Sequence, residues 1–279
     1  MADIESASLQ FAVMGSPVAH SKSPRIHTLF AHQFKHRIEY TAIEVDPGGF
    51  AQALAQFRAA GGRGLNVTVP FKLDAFRLAD HLSDRAKLAG AVNTLRFEPD
   101  GTLFGDNTDG AGLVHDLTKN LEVAIKDKKV LVLGAGGAVR GVLAPLLKHH
   151  PALLVIANRT VSKGKELAEE FAHFGKIEAC GFNELKGKRF DIVINGTAAS
   201  LKGEVPPLPE NLFANHALAY DMMYGDKATA FMGWALLHGA ERAEDGLGML
   251  VEQAAESYLV WHGVRPETKS VIAALRKGG

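Results

Sequence analysis

Lys72 closes the run Asn66-Val67-Thr68-Val69-Pro70-Phe71-Lys72, which brings an amide, a hydroxyl and a primary amine into one short stretch. Alternation along a strand puts Asn66 and Thr68 on one face, with Lys72 just past the strand's end. The carboxyl ends of strands are where open α/β sheets bind ligands. A lysine placed there can give a proton to a ligand oxygen or take one from it; taken alone it is equally an ordinary solvated charge. In His20-Ser21-Lys22-Ser23-Pro24 two hydroxyls stand one residue apart before a predicted helix. Ser21, Ser23 and the first helical amides can converge there on a carboxylate, whereas N-capping by Ser23 would need only one hydroxyl. Asn93, inside an apolar run, and Asp106-Asn107-Thr108-Asp109, ahead of another predicted helix, complete a polar set. Asp109 also suits an N-cap.

A second group of residues has the chemistry of a phosphate site. Val130-Leu131-Val132-Leu133 runs directly into Gly134-Ala135-Gly136-Gly137-Ala138, the order of strand, glycine turn and helix start that a dinucleotide fold requires. Glycines let the backbone approach a pyrophosphate whose charge the helix N-terminus then meets. The third glycine of that fingerprint is replaced by Val139, so the loop alone also fits a plain strand-helix turn. Dinucleotide folds place the residue that reads the ribose about 20 residues further on, where this chain has Asn158-Arg159-Thr160 and then Lys163. A guanidinium with neighbouring hydroxyls binds a 2′-phosphate by charge-assisted hydrogen bonds, and an acidic residue would repel it. The expectation is therefore NADP rather than NAD. The bland alternative is a surface arginine with Thr160 or Ser162 capping the next helix.

Positioning these residues requires a series of strand-helix units. Short runs rich in Val, Ile and Leu alternate with stretches of helical periodicity, as in mainly parallel sheets. The first series predicts a strand ending at Phe11-Ala12-Val13-Met14, a turn at Gly15-Ser16-Pro17 and a helix after Ser23-Pro24, where proline suits the first turn. A strand over 40–45, a helix over 50–60 and a strand over 65–69 closed by Pro70 follow. The segments 92–97 and 102–104 read as a hairpin around Glu98-Pro99-Asp100-Gly101. A helix over about 110–120 leads to the second series, with strands at 130–133, 153–157, 177–180, 191–195 and 218–221. A final helix over about 248–262, apolar around more than half its circumference, is expected to pack back on the rest of the chain.

Composition sets the outer limits. In 279 residues, 47% are hydrophobic and 22% charged, with 29 glycines, which excludes collagen-like, disordered and disulfide-stapled classes. Thirty-one basic residues balance 31 acidic ones, so no overall field points to nucleic acid or an anionic membrane, and any anion site must be local. The single cysteine, Cys180, allows no internal disulfide and fits a reducing, cytoplasmic setting. The start, Met1-Ala2-Asp3-Ile4-Glu5, lacks the basic and apolar segments of a secretory signal, and the apolar stretch 130–139 is half a membrane span. The 12 histidines show no ligand-like spacing, and no metal is expected.

Taken together, the motifs resemble the shikimate dehydrogenase family over nearly the whole chain. They are Gly15 to Pro24, Asn66 to Lys72, Gly90-Ala91-Val92-Asn93-Thr94, Gly105 to Gly110, Gly134 to Ala138, Asn158-Arg159-Thr160, Tyr220-Asp221-Met222 and Asp245-Gly246-Leu247-Gly248-Met249-Leu250, in the family's order. The resemblance implies two α/β domains: a substrate domain with a mainly parallel sheet, residues 1–108 plus 246–279, and a Rossmann-type NADP-binding domain, residues 109–245. The active site would be the interdomain cleft, closing as NADP binds. The activity implied is the reversible NADPH-dependent reduction of 3-dehydroshikimate to shikimate, in the route to chorismate and the aromatic amino acids, by a cytoplasmic monomer or homodimer. By the same resemblance Ser21 and Ser23 hold the substrate carboxylate, and Thr68, Asn93, Asp109 and Gln253 its ring hydroxyls, with Asn66 and Tyr224 also on the substrate side. Lys72 is the acid-base residue, with Asp109 beside it. Gly134, Ala135, Gly136, Gly137 and Ala138 hold the pyrophosphate; Asn158, Arg159, Thr160 and Lys163 surround the adenosine phosphate; Met222 and Gly246 lie near the nicotinamide, and Asp84 matches a further cofactor-side position.

Two departures bear on detail. Lys163 stands where many relatives have arginine and cannot make the same bidentate contact, and Tyr224-Gly225-Asp226 lacks the proline many relatives carry. The rival within the superfamily is a quinate/shikimate dehydrogenase using NAD, against which Arg159 argues. A non-catalytic metabolite-binding regulator of the same fold is the rival from another class, and the presence of Lys72 and Asp109 argues against it.

Overall fold

The computed structural model describes residues 8–277. They form two compact units, one made of the described residues up to Thr108 with Gln253–Ala274, the other of Asp109–Glu252 with the residues from Leu275 on.

In the first unit the chain runs β1 (Leu9–Gly15), α1 (Ser23–Phe34), β2 (Ile38–Glu44), α2 (Phe50–Ala59), β3 (Gly62–Val67), α3 (Lys72–Leu78), β4 (His81–Leu82), α4 (Asp84–Ala89), β5 (Thr94–Phe97) and β6 (Leu103–Asp106). The sheet order is β2-β1-β3-β5-β6-β4. β1 pairs in parallel with β2 and β3, and β4 with β6, while β5 pairs antiparallel with β3 and β6. One face of this sheet carries Ala12, Met14, Leu65, Val67 and Leu95, which pack with Phe50, Leu54 and Phe71 into a core.

The second unit begins with α5 (Asp109–His115) and continues through β7 (Lys129–Leu133), α6 (Gly137–Leu147), β8 (Leu153–Ala157), α7 (Val161–Phe171), β9 (Ile177–Cys180), β10 (Phe190–Asn195), β11 (Phe213–Asp221), α8 (Ala230–Leu237) and β12 (Arg242–Glu244). All pairings are parallel, in the order β12-β11-β10-β7-β8-β9. This is the doubly wound dinucleotide-binding order, with its reversal between β7 and β10. The central strands β7 and β8 read as nearly continuous apolar runs, as in sheets covered on both faces; Leu131, Leu133, Val155, Val193 and Ala219 lie in one core. The chain ends with α9 (Leu247–His262) and α10 (Lys269–Lys277). Among the described residues no helix is long and apolar enough to cross a membrane.

The structure corrects several expectations. β3 ends at Val67, so Thr68 lies beyond the strand. The chain there is already turning, with the Phe71 amide donating to the Thr68 carbonyl. The helix expected over 110–120 is α-helical only to His115 and widens into a π turn over Asp116–Asn120. In that segment the Thr118 hydroxyl donates to the Val114 carbonyl, a side-chain bond that competes with the regular ladder, and the Asn120 amide donates to the Asp116 carboxylate. The helix ending at His262 is not the last: α10 follows, with Val271 and Leu275, four apart, as its buried residues. α3, α4, β4 and β12 are too short to produce a periodic pattern. The two compact units divide inside α9, between Glu252 and Gln253. The first turns of α9 belong with the second unit because Gly248 sits against the Asp116 carboxylate and Glu252 accepts from Asn120.

Gly64 in β3 marks a close approach. A Cβ there would lie 2.7 Å from the Leu95 carbonyl oxygen and 2.5 Å from the Trp261 indole nitrogen, which itself donates to that oxygen at 2.9 Å. Gly64→Ala is expected to lower unfolding free energy by about 2 kcal/mol in urea titrations. An unchanged midpoint would mean that Trp261 can move aside.

Candidate functional site

In the first unit three separated motifs are tied together by backbone hydrogen bonds around Asn93. Its carbonyl accepts from the Val67 amide at 2.8 Å, its own amide donates to Asp106 at 3.0 Å, and the preceding Val92 amide donates to the Lys72 carbonyl at 3.0 Å. Lys72 is the first residue of α3 and is partly exposed, so its side chain leaves the helix start beside the segment that carries Asn93. The Thr68 amide donates to Met14 and the Ser16 amide to Val69, which lays the end of the β3 motif along Gly15-Ser16. Gly15 has to be glycine here, because a Cβ would come within 2.2 Å of the Thr68 methyl.

The side chains continue the assembly. Ser21 accepts the Ser23 amide at 3.2 Å, so Ser21, not Ser23, ties down the turn. Ser23 is the first residue of α1, buried, and hydrogen-bonded to Tyr40. Tyr40 donates to Asn66 Oδ1 at 2.7 Å, and Asn66 Nδ2 donates towards Ser257, Thr94 and the Asn93 carbonyl at 2.9, 3.2 and 3.2 Å. Asn66 is only 6% exposed, and both ends of its amide have protein partners. Asn93 meets Gln253 of α9 and Thr108 at 3.3 and 2.9 Å. Asp109, the first residue of α5, follows Thr108 directly in the chain.

A charge network holds the Asp106 to Thr108 segment. Arg85 bonds both oxygens of Asp106 at 2.7 Å and Glu256 at 2.9 Å, and Arg265 bonds Glu256 at 3.0 Å. Burial pushes both carboxyls up, but the bonds and charges of the arginines, joined at Asp106 by Ser83 and the Asn107 amide, outweigh it and hold both below the usual carboxylate range. Asp84 stands on the other side of the matter: its carboxylate is 96% exposed and lies 3.7 Å from Lys87.

In the second unit the glycine loop has the form that a phosphate needs. Gly134 adopts a φ of +104°, in the left-handed region, and its amide donates to the Ala157 carbonyl. Gly136 and Gly137, at the start of α6, are exposed, and a Cβ on either would meet nothing within 4 Å. Ala135 is half-buried and Ala138 exposed. Val139, at the third glycine position, is buried against Gly196, where a Cβ would come within 2.5 Å of its methyl group. The close approach is therefore kept, with the glycine on the facing strand end.

At the end of β8, Asn158 donates to the Thr160 carbonyl at 2.8 Å. Thr160 is the N-cap residue of α7, yet its side chain accepts no capping bond, and Arg159, Thr160 and Lys163 are all exposed. Asn158 and Arg159 line a cavity of about 330 Å³ with Thr197, Lys202, Phe182 and Pro206. At the end of β11, buried Asp221 accepts from Ser200, Thr229 and the Met223 amide. Met222 donates its amide to Asn195. A Cβ on Gly246 would lie 2.3 Å from the Met222 carbonyl, so these two backbones touch. Tyr224 is half-buried, and burial pushes its hydroxyl pKa up.

Comparison with known proteins decides the family. The model of the shikimate dehydrogenase substrate binding domain matches residues 13–95, that of shikimate/quinate 5-dehydrogenase residues 116–202, and that of the shikimate 5′-dehydrogenase C-terminal domain residues 246–276. The NADP(+) shikimate dehydrogenase of Nitrosospira multiformis is 56% identical over 95% of this chain and 96% of its own length, and that of Cellvibrio japonicus 57% over 96% of each. The chain belongs to the shikimate dehydrogenase family. Among solved structures, shikimate 5-dehydrogenase of Thermus thermophilus, in complex with NADP(H) and shikimate, superposes with a TM-score of 0.85 at 33% identity, covering 96% of this chain and 99% of that one. An Ael1 enzyme from Pseudomonas putida gives 0.91 at 47% identity, covering 96% and 98%.

For a member of this family, sequence reasoning singled out Asn66, Thr68, Lys72 and Asn93, which the first unit gathers, with Ser21 and Ser23 joined to them through Tyr40. It missed Tyr40, Thr94 and Ser257, which read as ordinary strand and helix residues, and Arg85, whose only signal was the need of Asp106 for a counter-charge. It also missed Thr197 and Lys202, although Asn195-Gly196-Thr197 at a strand's carboxyl end follows the placement rule already used for β7 and β8.

Removing Arg85 leaves two largely buried carboxylates short of a partner. Arg85→Ala is expected to cost on the order of 2 kcal/mol at pH 7, towards the low side because the arginine is itself part-exposed. Since both carboxyls are held below their unfolded values, the stabilisation is present above about pH 4 and is lost as pH falls through the folded values. The gap between variant and parent should therefore persist down to about pH 4 and narrow below it in chemical unfolding; a gap that widens on acidification would contradict the assignment.

Proposed function

We propose that this chain catalyses the reversible reduction of 3-dehydroshikimate to shikimate with NADPH. The observation that carries the reading, in a member of this family, is the set of hydrogen bonds that draws the Asn66–Lys72, Val92–Asn93 and Asp106–Thr108 motifs together beside Lys72. Such a locus offers a cation and several neutral donors and acceptors, which suits a small polyhydroxylated acid. Ser21 and Ser23, at the start of α1, bind its carboxylate, where the helix N-terminus adds favourable potential. Thr68, Asn93, Asp109 and Gln253 bind its hydroxyls, with Tyr224 a further substrate contact.

The residues of the second unit fit NADP. Open space over Gly136 and Gly137 admits a pyrophosphate to the start of α6, and the cavity at Asn158 and Arg159 presents a guanidinium for the 2′-phosphate. Thr160 and Lys163 stand next to it, and Met222 and Gly246 face the nicotinamide end. When bound, NADPH supplies the hydride, and NADP⁺ accepts it in the reverse direction.

This chain's part is then proton transfer and orientation. As negative charge builds on the ketone oxygen, the Lys72 Nζ ammonium stabilises it and delivers the proton. In the oxidation direction the neutral Nζ takes that proton from the hydroxyl, while Asp109 orients the hydroxyl. The remaining donors hold the ring so that the reacting carbon is presented in one orientation. The balanced charge and the single, buried Cys180 agree with a cytoplasmic enzyme acting on small molecules.

Lys72→Ala should lower kcat by roughly 10²-fold to 10⁴-fold while shikimate still binds, as followed by NADPH absorbance and by ligand titration. Near-normal kcat in that variant would remove Lys72 from proton transfer. Arg159→Ala should raise KM for NADP⁺ by at least about 10-fold and leave KM for NAD⁺ within about twofold, since only the former carries the phosphate. Equal effects on both would show that Arg159 does not read it.

A further inference from the structure

A phosphate group on a ribose carries a charge of about −1.5 to −2 at pH 7, so a cavity that reads it has to be positive. The cavity at the end of β8 is lined by three charged residues, Arg159, Lys202 and Glu204. Arg159 and Glu204 by themselves would leave that lining neutral; Lys202 is what makes it net positive. Among the described residues none of the three has an ion-pair partner, so neither cation is neutralised by the protein. The two cations come from different elements: Arg159 follows β8, and Lys202 closes a short 3₁₀ turn, Ser200–Lys202, beyond β10. That turn is anchored underneath. Asn195 Nδ2 donates to Ser200 Oγ at 3.0 Å, and Ser200 donates to Asp221 at 2.6 Å, both partners being fully buried. The Lys202 and Glu204 amides both donate to the Ala199 carbonyl, at 2.9 and 3.0 Å. The backbone of Lys202 is thereby held at the cavity wall, while its exposed, flexible four-carbon stem lets the ammonium follow an anion. Lys163, on α7, is not among the residues that line this cavity.

We propose that Lys202 is a further specificity-determining residue for the cofactor, the second cation that meets the 2′-phosphate together with Arg159 and so sets the preference for NADP over NAD. The two cations do different work. The guanidinium is a planar fork that fixes the orientation of the phosphate, and the ammonium is a point charge that adds attraction. The proposal rests on the reading of Arg159 as a contact of the 2′-phosphate.

The test is binding of NADP⁺ and NAD⁺ to the whole chain by isothermal titration calorimetry, with Arg159→Ala and Lys163→Ala as controls. Lys202→Ala and Lys202→Gln should each raise Kd for NADP⁺ about 5-fold to 10-fold and leave Kd for NAD⁺ within about twofold. Lys202→Arg, which keeps the charge, should stay within about threefold of the parent. The loss in K202A should shrink as ionic strength rises from about 0.1 M to about 1 M, where screening shortens from about 10 Å to about 3 Å. If Arg159→Ala weakens both cofactors alike, the 2′-phosphate reading is lost and the proposal with it. If Arg159→Ala weakens NADP⁺ selectively, the proposal alone is overturned by any of three results. These are an unchanged Kd for NADP⁺ in K202A and K202Q, an equal loss of NADP⁺ and NAD⁺, which would put Lys202 at the pyrophosphate, and a larger loss in K163A than in K202A, which would put the second cation on α7.

Discussion

An amide buried in an apolar sheet has to find a partner for each of its polar atoms, because a missing one costs on the order of 1–3 kcal/mol. Asn66 and Asn93 place that demand at the centre of the first unit. Asn66 is met by Tyr40 on β2, Thr94 on β5 and Ser257 on α9; Asn93 is met by Thr108, by Thr94 and by Gln253 on α9. These partners come from segments up to 191 positions apart. Satisfying two side chains therefore fixes three strands, a helix and a loop relative to one another, and Asn93 and Gln253, proposed to bind substrate, are among the residues so fixed.

The charge network at Arg85 serves the same segment by another route. Asp106 lies two residues before Thr108, and its carboxylate is held by Arg85, by Ser83 and by the following backbone amide. Hydrogen bonds at Asn93 and ion pairs at Asp106 thus pin the chain at both ends of Asp106-Asn107-Thr108, and Asp109 follows immediately. A carboxylate proposed to orient a reacting hydroxyl is placed where the backbone has little freedom, which is the condition for maintaining a productive geometry.

The second unit solves a different problem. Its central strands β7 and β8 are nearly all apolar, and Asn158, Asn195 and Asp221 stand at the carboxyl ends of β8, β10 and β11, where parallel sheets leave room for a ligand. There the backbone supplies much of the chemistry: a left-handed Gly134, open space above Gly136 and Gly137, and the contact of Gly246 with Met222. The replacement of the third fingerprint glycine by Val139 is harmless for a physical reason. Close packing between a helix and a strand end needs one partner without a side chain, and Gly196 is that partner.

Short-range physics was legible in the sequence: runs of Val, Ile and Leu that must be buried strands, a glycine turn between a strand and a helix, Pro24 at a helix start, a guanidinium where a ribose is read, and a lysine after a strand. Each depends on residues close together in the chain, so type and spacing suffice. Elements too short for a period, such as α3 and β12, left no such trace, and neither did the end of β3 before Thr68 nor the π turn after His115, where the Thr118 hydroxyl competes with the backbone for the Val114 carbonyl. Tertiary structure alone decided that Thr94, Ser257 and Tyr40 are the partners of Asn66 and that Arg85 balances Asp106. A buried polar atom has to be paired, but its partner is whichever group the fold buries beside it, and that group can lie anywhere in the chain.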